Sequence, residues 1–459
     1  MALVSGAVLR TWMLMKFFEV NGDAQIYGSL AKNLLLHALY ATGPAGGVLH
    51  STLIRLPGYA LFLAACFRVF GLENYYAACC VQIVLDLAAC LLLADFARRI
   101  SPPGQGSRAF RATLWLAAVC PFTAIYAAEP LTESLTIFTL ALALASALRF
   151  HQRPRWTSAL AFTFAVSYAA LLRPDGALVG LALAPSVALV VLRSRNRHQQ
   201  DSDPIANAHF SSTPQRMVLI CLLLALAPFA VWTGRNWRVF HVIQPLAPRY
   251  ATDPGEDIFP GWQHWVKSWC LDFVSTYDIY WNVPDNPLEL SKLPGRAFDS
   301  PAQYAETAKL AADYDAGGYD LTPAIDARFE RLAQERIDAD HWRYFVVLPL
   351  GRMADMWLRP RVENLPIDLD WWVYKHHHVE TRFCWGYAAL NALYLLLGLA
   401  GLCLRPRWWT WMLLYLVLRS ALLCTIEAPE ARYTLECFPI LFALGGVALS
   451  RGFQTMGRR

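Results

Sequence analysis

Charge is scarce in this chain: Asp, Glu, Lys and Arg make up 16% of its 459 residues, against 56% hydrophobic residues and 17 Trp. That balance excludes a soluble enzyme and describes a polytopic membrane protein. Cysteine frameworks are missing as well. Of eleven cysteines, Cys66, Cys79, Cys80, Cys90, Cys120, Cys221, Cys403 and Cys424 fall in apolar stretches as small hydrophobes, and Cys270 alone sits well inside a long polar segment. No CxxC or Cys/His spacing occurs, so neither a zinc site nor a disulfide scaffold is expected. No basic run with interleaved aromatics lies outside the membrane-flanking loops, which removes nucleic acid as a partner. No repeat relates the two halves, the pattern many transporters carry.

What is present is a series of apolar windows near the roughly 20 residues needed to cross hydrocarbon. They lie near 3–20, 73–96, 112–128, 132–149, 156–172, 176–192, 217–234, 383–403, 408–426 and 433–450. The expected fold class is therefore an all-α polytopic membrane protein of about ten transmembrane helices. Arg10 and Lys16 interrupt the first window and only nine residues precede Arg10, which leaves room for a start upstream. A cleaved signal peptide would need a small-residue cleavage site, and none follows.

Arginine sets the orientation, because Lys and Arg in short loops stay on the cytoplasmic side. One set of connections carries Arg98, Arg99, Arg108 and Arg111; Arg149, Arg153 and Arg155; Arg193, Arg195, Arg197 and Arg216; Arg405 and Arg407; and the tail Arg458 and Arg459. The alternate set is poor in basic residues and includes the long segment 235–382, where acids outnumber bases. Three regions follow: a transmembrane module, 1–234, with a first outer loop at 20–72; an extracytoplasmic loop domain, 235–382, with amphipathic helices; and C-terminal transmembrane helices, 383–459.

On the outer side, residues 24–39 put Ile26, Tyr27, Leu30, Ala31, Leu34, Leu35 and Ala38 on one helix face, with Gln25, Lys32 and Asn33 opposite, as an interfacial helix does. Residues 323–358 read as two helices: one solvated, carrying Arg328, Glu330, Arg331, Glu335 and Arg336, and one apolar with interleaved Trp and Arg that lies on the membrane. Residues 241–300, rich in Pro, Trp and Tyr, read as irregular structure with short helices. Trp408, Trp409 and Trp411 form an interface belt.

The acids are not scattered. Glu19, Asp23, Glu129, Glu133, Asp175, Glu427, Glu430 and Glu436 all fall at outer ends of spans, joined at the same depth by Arg55, Arg173 and Arg432. A carboxylate in hydrocarbon costs roughly 2.5–3.5 kcal/mol on insertion scales, so acids held at a span's edge face water, a partner or a substrate. Guanidinium binds phosphate through bidentate, charge-assisted bonds, so this mixture suits a phosphorylated, lipid-linked substrate.

The stretches "GDAQIYGSLAKNLL", "RLPGYALFLA", "PLTESLTIF", "LLRPDG" and "EAPEARYTLECFPILFAL" together resemble the GT-C superfamily glycosyltransferases of family 39, the relatives of protein O-mannosyltransferases and of the lipid A aminoarabinose transferase. The resemblance implies a GT-C fold and inverting transfer of a sugar from a polyprenyl-phosphate carrier to an acceptor hydroxyl of a glycan, lipid or protein. It places the active site on the periplasmic face of a bacterial inner membrane. Asp23 matches the family's catalytic acid and would take the acceptor's proton. Arg55, then Arg432 and Arg173, would bind the leaving phosphate. Glu133 matches an acidic position that could orient the acceptor or hold Arg55, and Glu430 and Tyr27 lie where they could assist.

The family usually carries two adjacent acids in the first loop, whereas Asp23 stands between Gly22 and Ala24. That departure implies a metal-independent enzyme without a cofactor. Other readings are available for single features. An acid between a span and a helix is a common N-cap, Arg432 with Tyr433 suits an interfacial anchor, and Arg173 suits pairing with Asp175. Glu129 reads as a capping residue. Asp368-Leu369-Asp370 mimics the DxD of nucleotide-sugar enzymes but lies on the outer face, where those donors are absent. His376, His377 and His378 are adjacent and so diverge rather than share an ion. A flippase or transporter of a lipid-linked sugar is the alternative function, with Asp86, the lone mid-span acid, as its centre.

Overall fold

The computed structural model describes residues 1–43, 47–200, 213–369, 372 and 377–456, with 193–200, 213–215 and 453–456 by backbone alone. Asp370, His376, Arg458 and Arg459 lie outside the described residues, as do the side chains of Arg193, Arg195 and Arg197.

The described chain is almost wholly helical. In order it forms α1 (Ala2–Phe17), α2 (Asp23–His37), a two-stranded antiparallel ribbon of β1 (Ala41–Thr42) and β2 (His50–Ser51) in which Ala41 faces Ser51, α3 (Pro57–Phe70) and α4 (Tyr75–Ile100). Next come α5 (Gly106–Ala118), α6 (Pro121–Ala127), α7 (Glu133–Gln152), α8 (Trp156–Leu172), α9 (Ala177–Gln200) and α10 (Thr213–Phe240). After these follow α11 (Pro260–Lys267), α12 (Pro301–Ala316), α13 (Pro323–Ala339), α14 (Leu348–Leu358), α15 (His378–Cys403), α16 (Trp409–Leu423) and α17 (Phe438–Met456).

Among the described residues, six helices are long and apolar enough to cross a membrane, or seven if α5 and α6, bent by 57° at their junction, make one crossing. The chain is a multi-pass membrane protein. All ten apolar windows of the sequence fall on helices. Those of α1, α8 and α16, at 16, 17 and 15 residues, are shorter than a full crossing perpendicular to the membrane. One apolar helix was not among the windows: α3, only 14 residues long, sits inside the expected first outer loop.

The helices belong to two compact units. The first comprises Met1–Pro254, Tyr394–Leu416 and Leu435–Arg459, the second Gly255–Leu393 and Val417–Thr434. In the first, α4 packs on α5 and α7, α7 on α8, and α17 on α5. The arginine-bearing connections meet at one end of this bundle. Asp95 near the end of α4 holds Arg98, Arg99 and, from the end of α7, Arg149. There Arg407 N–H donates to Ile100 O, and Trp408 stacks edge-on against Phe96 and His151. Arginines distant in sequence thus share one end, as the charge bias requires. From Gln152 back to Glu133, α7 climbs about 30 Å at 1.5 Å per residue, the thickness of the hydrocarbon core, to the opposite end.

The second unit is organised around tryptophan. Trp262, Trp265 and Trp269 lie on one face of α11 and the turn after it, buried with Phe329 of α13, whose ring lies 5.0 Å from both Trp262 and Trp265. The irregular stretch 241–300 therefore contains the centre of a core. Asp326 of α13 caps α11 by accepting from Gly261 and Trp262 N–H at 3.1 and 2.8 Å.

Two details differ from the sequence pattern. Arg336, assigned to a solvated helix, is buried and donates to Ser268 Oγ and Arg296 O. Asn33, assigned to the polar face of α2, is 5% exposed because its amide caps Ala41 O at 2.8 Å. In both cases a long or amide side chain satisfies backbone carbonyls that would otherwise be buried unpaired.

Candidate functional site

The first unit brings five of the seven candidate residues to the end remote from the arginine-rich connections. Asp23 is the first residue of α2, where a carboxylate is favoured by the helix dipole. Gly22 before it has φ of +46°, a left-handed conformation open to glycine, and makes the turn from α1 into α2. The N-cap is Gly22 and no side chain caps this helix. The Asp23 carboxylate reaches across to Arg55 instead, whose Nη2 donates to Oδ1 at 2.6 Å. Both side chains are about a quarter exposed, at 27% and 29%. The pair is firm yet open to solvent.

Arg55 stands two residues before Pro57, which opens α3 at N1, where proline's fixed φ and missing N–H suit a helix start. Tyr27, one turn along α2 from Asp23, is buried with its ring edge-on to Tyr59 at 5.1 Å. Burial pushes its phenol up to about 12, with Arg55 and Arg173 pulling down and Asp23 and Glu133 pushing up. Tyr27 is thus a neutral hydroxyl at ordinary pH, within electrostatic reach of both acid–arginine pairs.

The second pair is a larger cluster. Arg173, at the end of α8, donates Nη1 to Glu133 Oε1 at 3.2 Å, and its Nε lies 3.3 Å from Asp175 and 3.4 Å from Glu436 Oε1. Glu133 and Glu436 side chains are both 2% exposed, and Tyr415 Oη approaches Glu436 Oε2 at 3.4 Å. Acids near 133, 175 and 436 in sequence therefore converge on one guanidinium. The pairing of Arg173 with Asp175 read from the sequence is present, but as one contact of several.

Arg432 and Glu430 belong to the second unit. There Glu430 accepts from Arg432 Nε and from Tyr433 Oη, with the Arg432 guanidinium 5.7 Å from the Tyr433 ring centre. The turn is held from within: Arg361 donates to Ala431 O and Thr434 Oγ1, and Arg419 donates twice to Tyr433 O at 3.1 and 2.9 Å. Arg361, Arg419 and Thr434 are fully or nearly fully buried, so the segment presenting Arg432 and Glu430 is rigidly seated.

Asp175 and Glu436 extend the Arg173 cluster beyond the residues singled out from sequence, and Arg235 and Asp253 hold the backbone of the loop that carries Arg55. Asp175 and Glu436 were visible in the sequence as acids at span ends. Arg235 carried no such signal, since an arginine after a span reads as a membrane flank. Among the described residues, no group of three or more His, Cys, Asp or Glu side chains is arranged as a metal-ligand set.

No family model matches the chain, and no curated protein matches it. Among solved structures it is similar to the crystal structure of ArnT from Cupriavidus metallidurans bound to undecaprenyl phosphate, at 15% identity and a TM-score of 0.37, covering 100% of this chain and 77% of that one. The same protein in its apo state gives 15% identity and a TM-score of 0.35 over 98% and 76% of the two chains.

Proposed function

We propose that this protein is an inverting glycosyltransferase that moves a sugar from a polyprenyl-phosphate carrier to an acceptor hydroxyl, with its site at the extracytoplasmic end of the first unit in a bacterial inner membrane. The observation that carries the reading is the Asp23–Arg55 pair, a carboxylate and a guanidinium both more than a quarter exposed, at the end of the bundle remote from the arginine-rich connections. The family resemblance of the segments that bear these residues supports it.

In this mechanism the acceptor oxygen attacks the anomeric carbon as its proton passes to the Asp23 carboxylate. The bond from the anomeric carbon to the carrier phosphate breaks on the opposite face, and the electron pair leaves with the phosphate. Arg55 meets the charge that grows there. A guanidinium carries five N–H donors in a fixed fork, so it can hold a carboxylate along one edge and a phosphate along another. Such donors are worth roughly 3–4 kcal/mol to a transition state when placed on the developing charge. Arg173 is surrounded by Glu133, Asp175 and Glu436, so its charge serves those acids first; in this reading it fixes Glu133 to orient the acceptor. Tyr27 remains a secondary contributor to the acceptor, while Arg432 and Glu430, which belong to the second unit, are given no step in this mechanism. The mechanism asks for no metal, because arginine neutralises a single phosphate.

The alternative of a lipid-linked-sugar transporter turns on Asp86. That acid is bound to Arg10 at 2.5–2.6 Å and closed off from solvent, so no observation favours it as a moving charge.

The deciding experiment measures release of polyprenyl phosphate from a panel of polyprenyl-phosphate sugars by purified protein in detergent, with envelope extract supplying acceptors. Release by wild type from one donor, and none by Asp23→Asn, establishes the transferase and identifies its sugar. Binding of carriers without turnover by either protein overturns the assignment.

A further inference from the structure

Arg55 lies in the segment 38–56 that joins α2 to α3, and what fixes that segment comes from nearly 200 residues further along the chain. Arg235, near the end of α10, places its guanidinium across the base of the β-ribbon: Nη2 donates to Tyr40 O at 2.7 Å and Nη1 to Thr52 O at 2.8 Å. One planar fork thus closes the loop at both of its stems. The fork is held flat among Tyr40, Trp232 and Phe240, whose ring centres lie 5.5, 5.2 and 5.3 Å away, and Nη1 also meets Asn236 Oδ1 at 3.0 Å.

Asp253 completes the grip. Its Oδ1 accepts from Leu53 N–H at 2.7 Å, two residues before Arg55. Thr52, Leu53 and Leu56 are at most 3% exposed, so these backbone groups have no ready exchange with water and depend on the partners they have. From the other side, Tyr40 Oη donates to the carbonyls of Arg55 itself and of Leu56 at 3.1 and 3.2 Å. The backbone of Arg55 is thereby bracketed, two and three residues before by Leu53, Thr52 and their partners, and on its own carbonyl by Tyr40.

We infer that Arg235 and Asp253 are positioning residues that set the place of Arg55 against Asp23, and so govern transfer from the phosphate-linked donor. The inference rests on the proposed function for its kinetic consequence, but its structural half stands alone. The pattern is that of a clamp rather than a second phosphate site, because the Arg235 fork is spent on two backbone carbonyls. Arg235→Lys replaces a planar fork with a point charge that cannot span both stems.

The test uses the full-length protein in detergent with Asp253→Ala, Asp253→Asn and Arg235→Lys. Asn keeps an acceptor oxygen for Leu53 N–H, and Ala removes it. Two readouts are taken: amide hydrogen exchange over 50–56, and KM and kcat for carrier release from the donor the wild type uses. With Asp253→Ala we expect faster exchange confined to that segment and a kcat/KM lowered about tenfold, as loss of one buried hydrogen bond implies, with kcat falling because the misplaced Arg55 no longer meets the charge on the departing phosphate. Asp253→Asn is expected to restore both, and Arg235→Lys to repeat the alanine result; if Asp253→Ala does not accumulate, Arg235→Lys carries the test. Unchanged exchange, or faster exchange with an unchanged kcat/KM, overturns the inference. A wild type that releases no carrier overturns the proposed function instead, and the exchange comparison still decides whether these residues hold the loop.

Discussion

Two of the aspartate–arginine pairs in the first unit have nearly identical geometry and opposite character. Asp23–Arg55 closes at 2.6 Å with both side chains more than a quarter exposed, and Arg10–Asp86 closes at 2.5 Å with both at or below 2%. The buried pair explains itself through its neighbours. α5 ends at Ala118 and α6 begins at Pro121, and a proline has no N–H to offer the carbonyl four residues back, that of Ala117. Carbonyls freed within a bilayer must find donors inside the protein. Arg10 supplies them, donating to Ala118 O at 2.6 Å and to Ala117 O at 3.4 Å, while Asp86 balances its charge. Gly6 lets α1 approach closely enough, since a Cβ there would lie 2.8 Å from Ala118 O. The same chemistry is thus a rivet in one place and, at the bundle's end, a pair left partly exposed to solvent.

The two pairs should therefore fail in opposite ways. Asp23→Asn is expected to reduce carrier release by at least about 10²-fold, the range for loss of a general base, while the unfolding midpoint barely moves, since a partly exposed pair contributes about 1 kcal/mol or less. Loss of stability equal to the loss of activity would erase the distinction. Arg55→Lys sharpens the same side. Keeping the charge but losing the fork, it should lower kcat by roughly 10-fold or more if Arg55 meets the departing phosphate, the order lost with a misplaced donor. Release at the wild-type rate would remove Arg55 from the phosphate.

Arg10→Met tests the other pair. It leaves Asp86 uncompensated and two carbonyls without donors, for which about 3–5 kcal/mol of destabilisation is expected. Folded protein that survives should retain its turnover per molecule, because Arg10 touches nothing in the site. The double variant Arg10→Met with Asp86→Leu should recover much of the stability by removing the orphaned charge, and thermal unfolding in detergent measures both. A double variant no better than the single one would mean that the carbonyls, not the charge, dominate.

What was legible in the sequence follows the same division. Spans and their common arginine-rich end are set by bulk physics, hydrophobic length and charge bias, so residues such as Arg98, Arg149 and Arg407 could be sorted without a structure. That Asp23, Arg55, Glu133 and Arg173 gather at one end was legible because charge at a membrane edge is costly and therefore conspicuous. The pairing partner of Asp86 was not, because Arg10 sits 76 residues away in a window that its own charge weakens. Helix α3 escaped because 14 residues fall short of a membrane window. The second unit's core was obscured differently: Trp262, Trp265 and Trp269 lie at helical spacing, but prolines on both sides break every longer pattern. Arg235 shows the deepest limit. Its role is fixed by two backbone carbonyls in another segment, and carbonyls leave no trace in a sequence.

A third acid–arginine pair, in the second unit, lies between the extremes and yields the smallest expected effect. Asp355 on α14 sits 3.6 Å from Arg359 and accepts from Phe273 N–H at 3.1 Å, with 17% of its side chain exposed. Burial raises its carboxyl from 3.8 to about 6, with Asp272 and Glu363 adding repulsion; Arg359 and the Phe273 bond pull the other way and do not offset it. Because the folded state holds this proton more tightly than the unfolded chain, the stabilisation is complete below about pH 4 and is lost as pH rises through about 6. The loss from this group amounts to about 2–3 kcal/mol at neutral pH. Asp355→Asn preserves the acceptor for Phe273 N–H and cannot ionise. It is therefore expected to match wild type near pH 4, to exceed it by a few degrees in unfolding midpoint at pH 7, and to flatten the slope between. A slope unchanged by the substitution would mean that Arg359 compensates the charge after all, and would move Asp355 to the side of the Arg10–Asp86 pair, where a buried acid is fully held by its arginine.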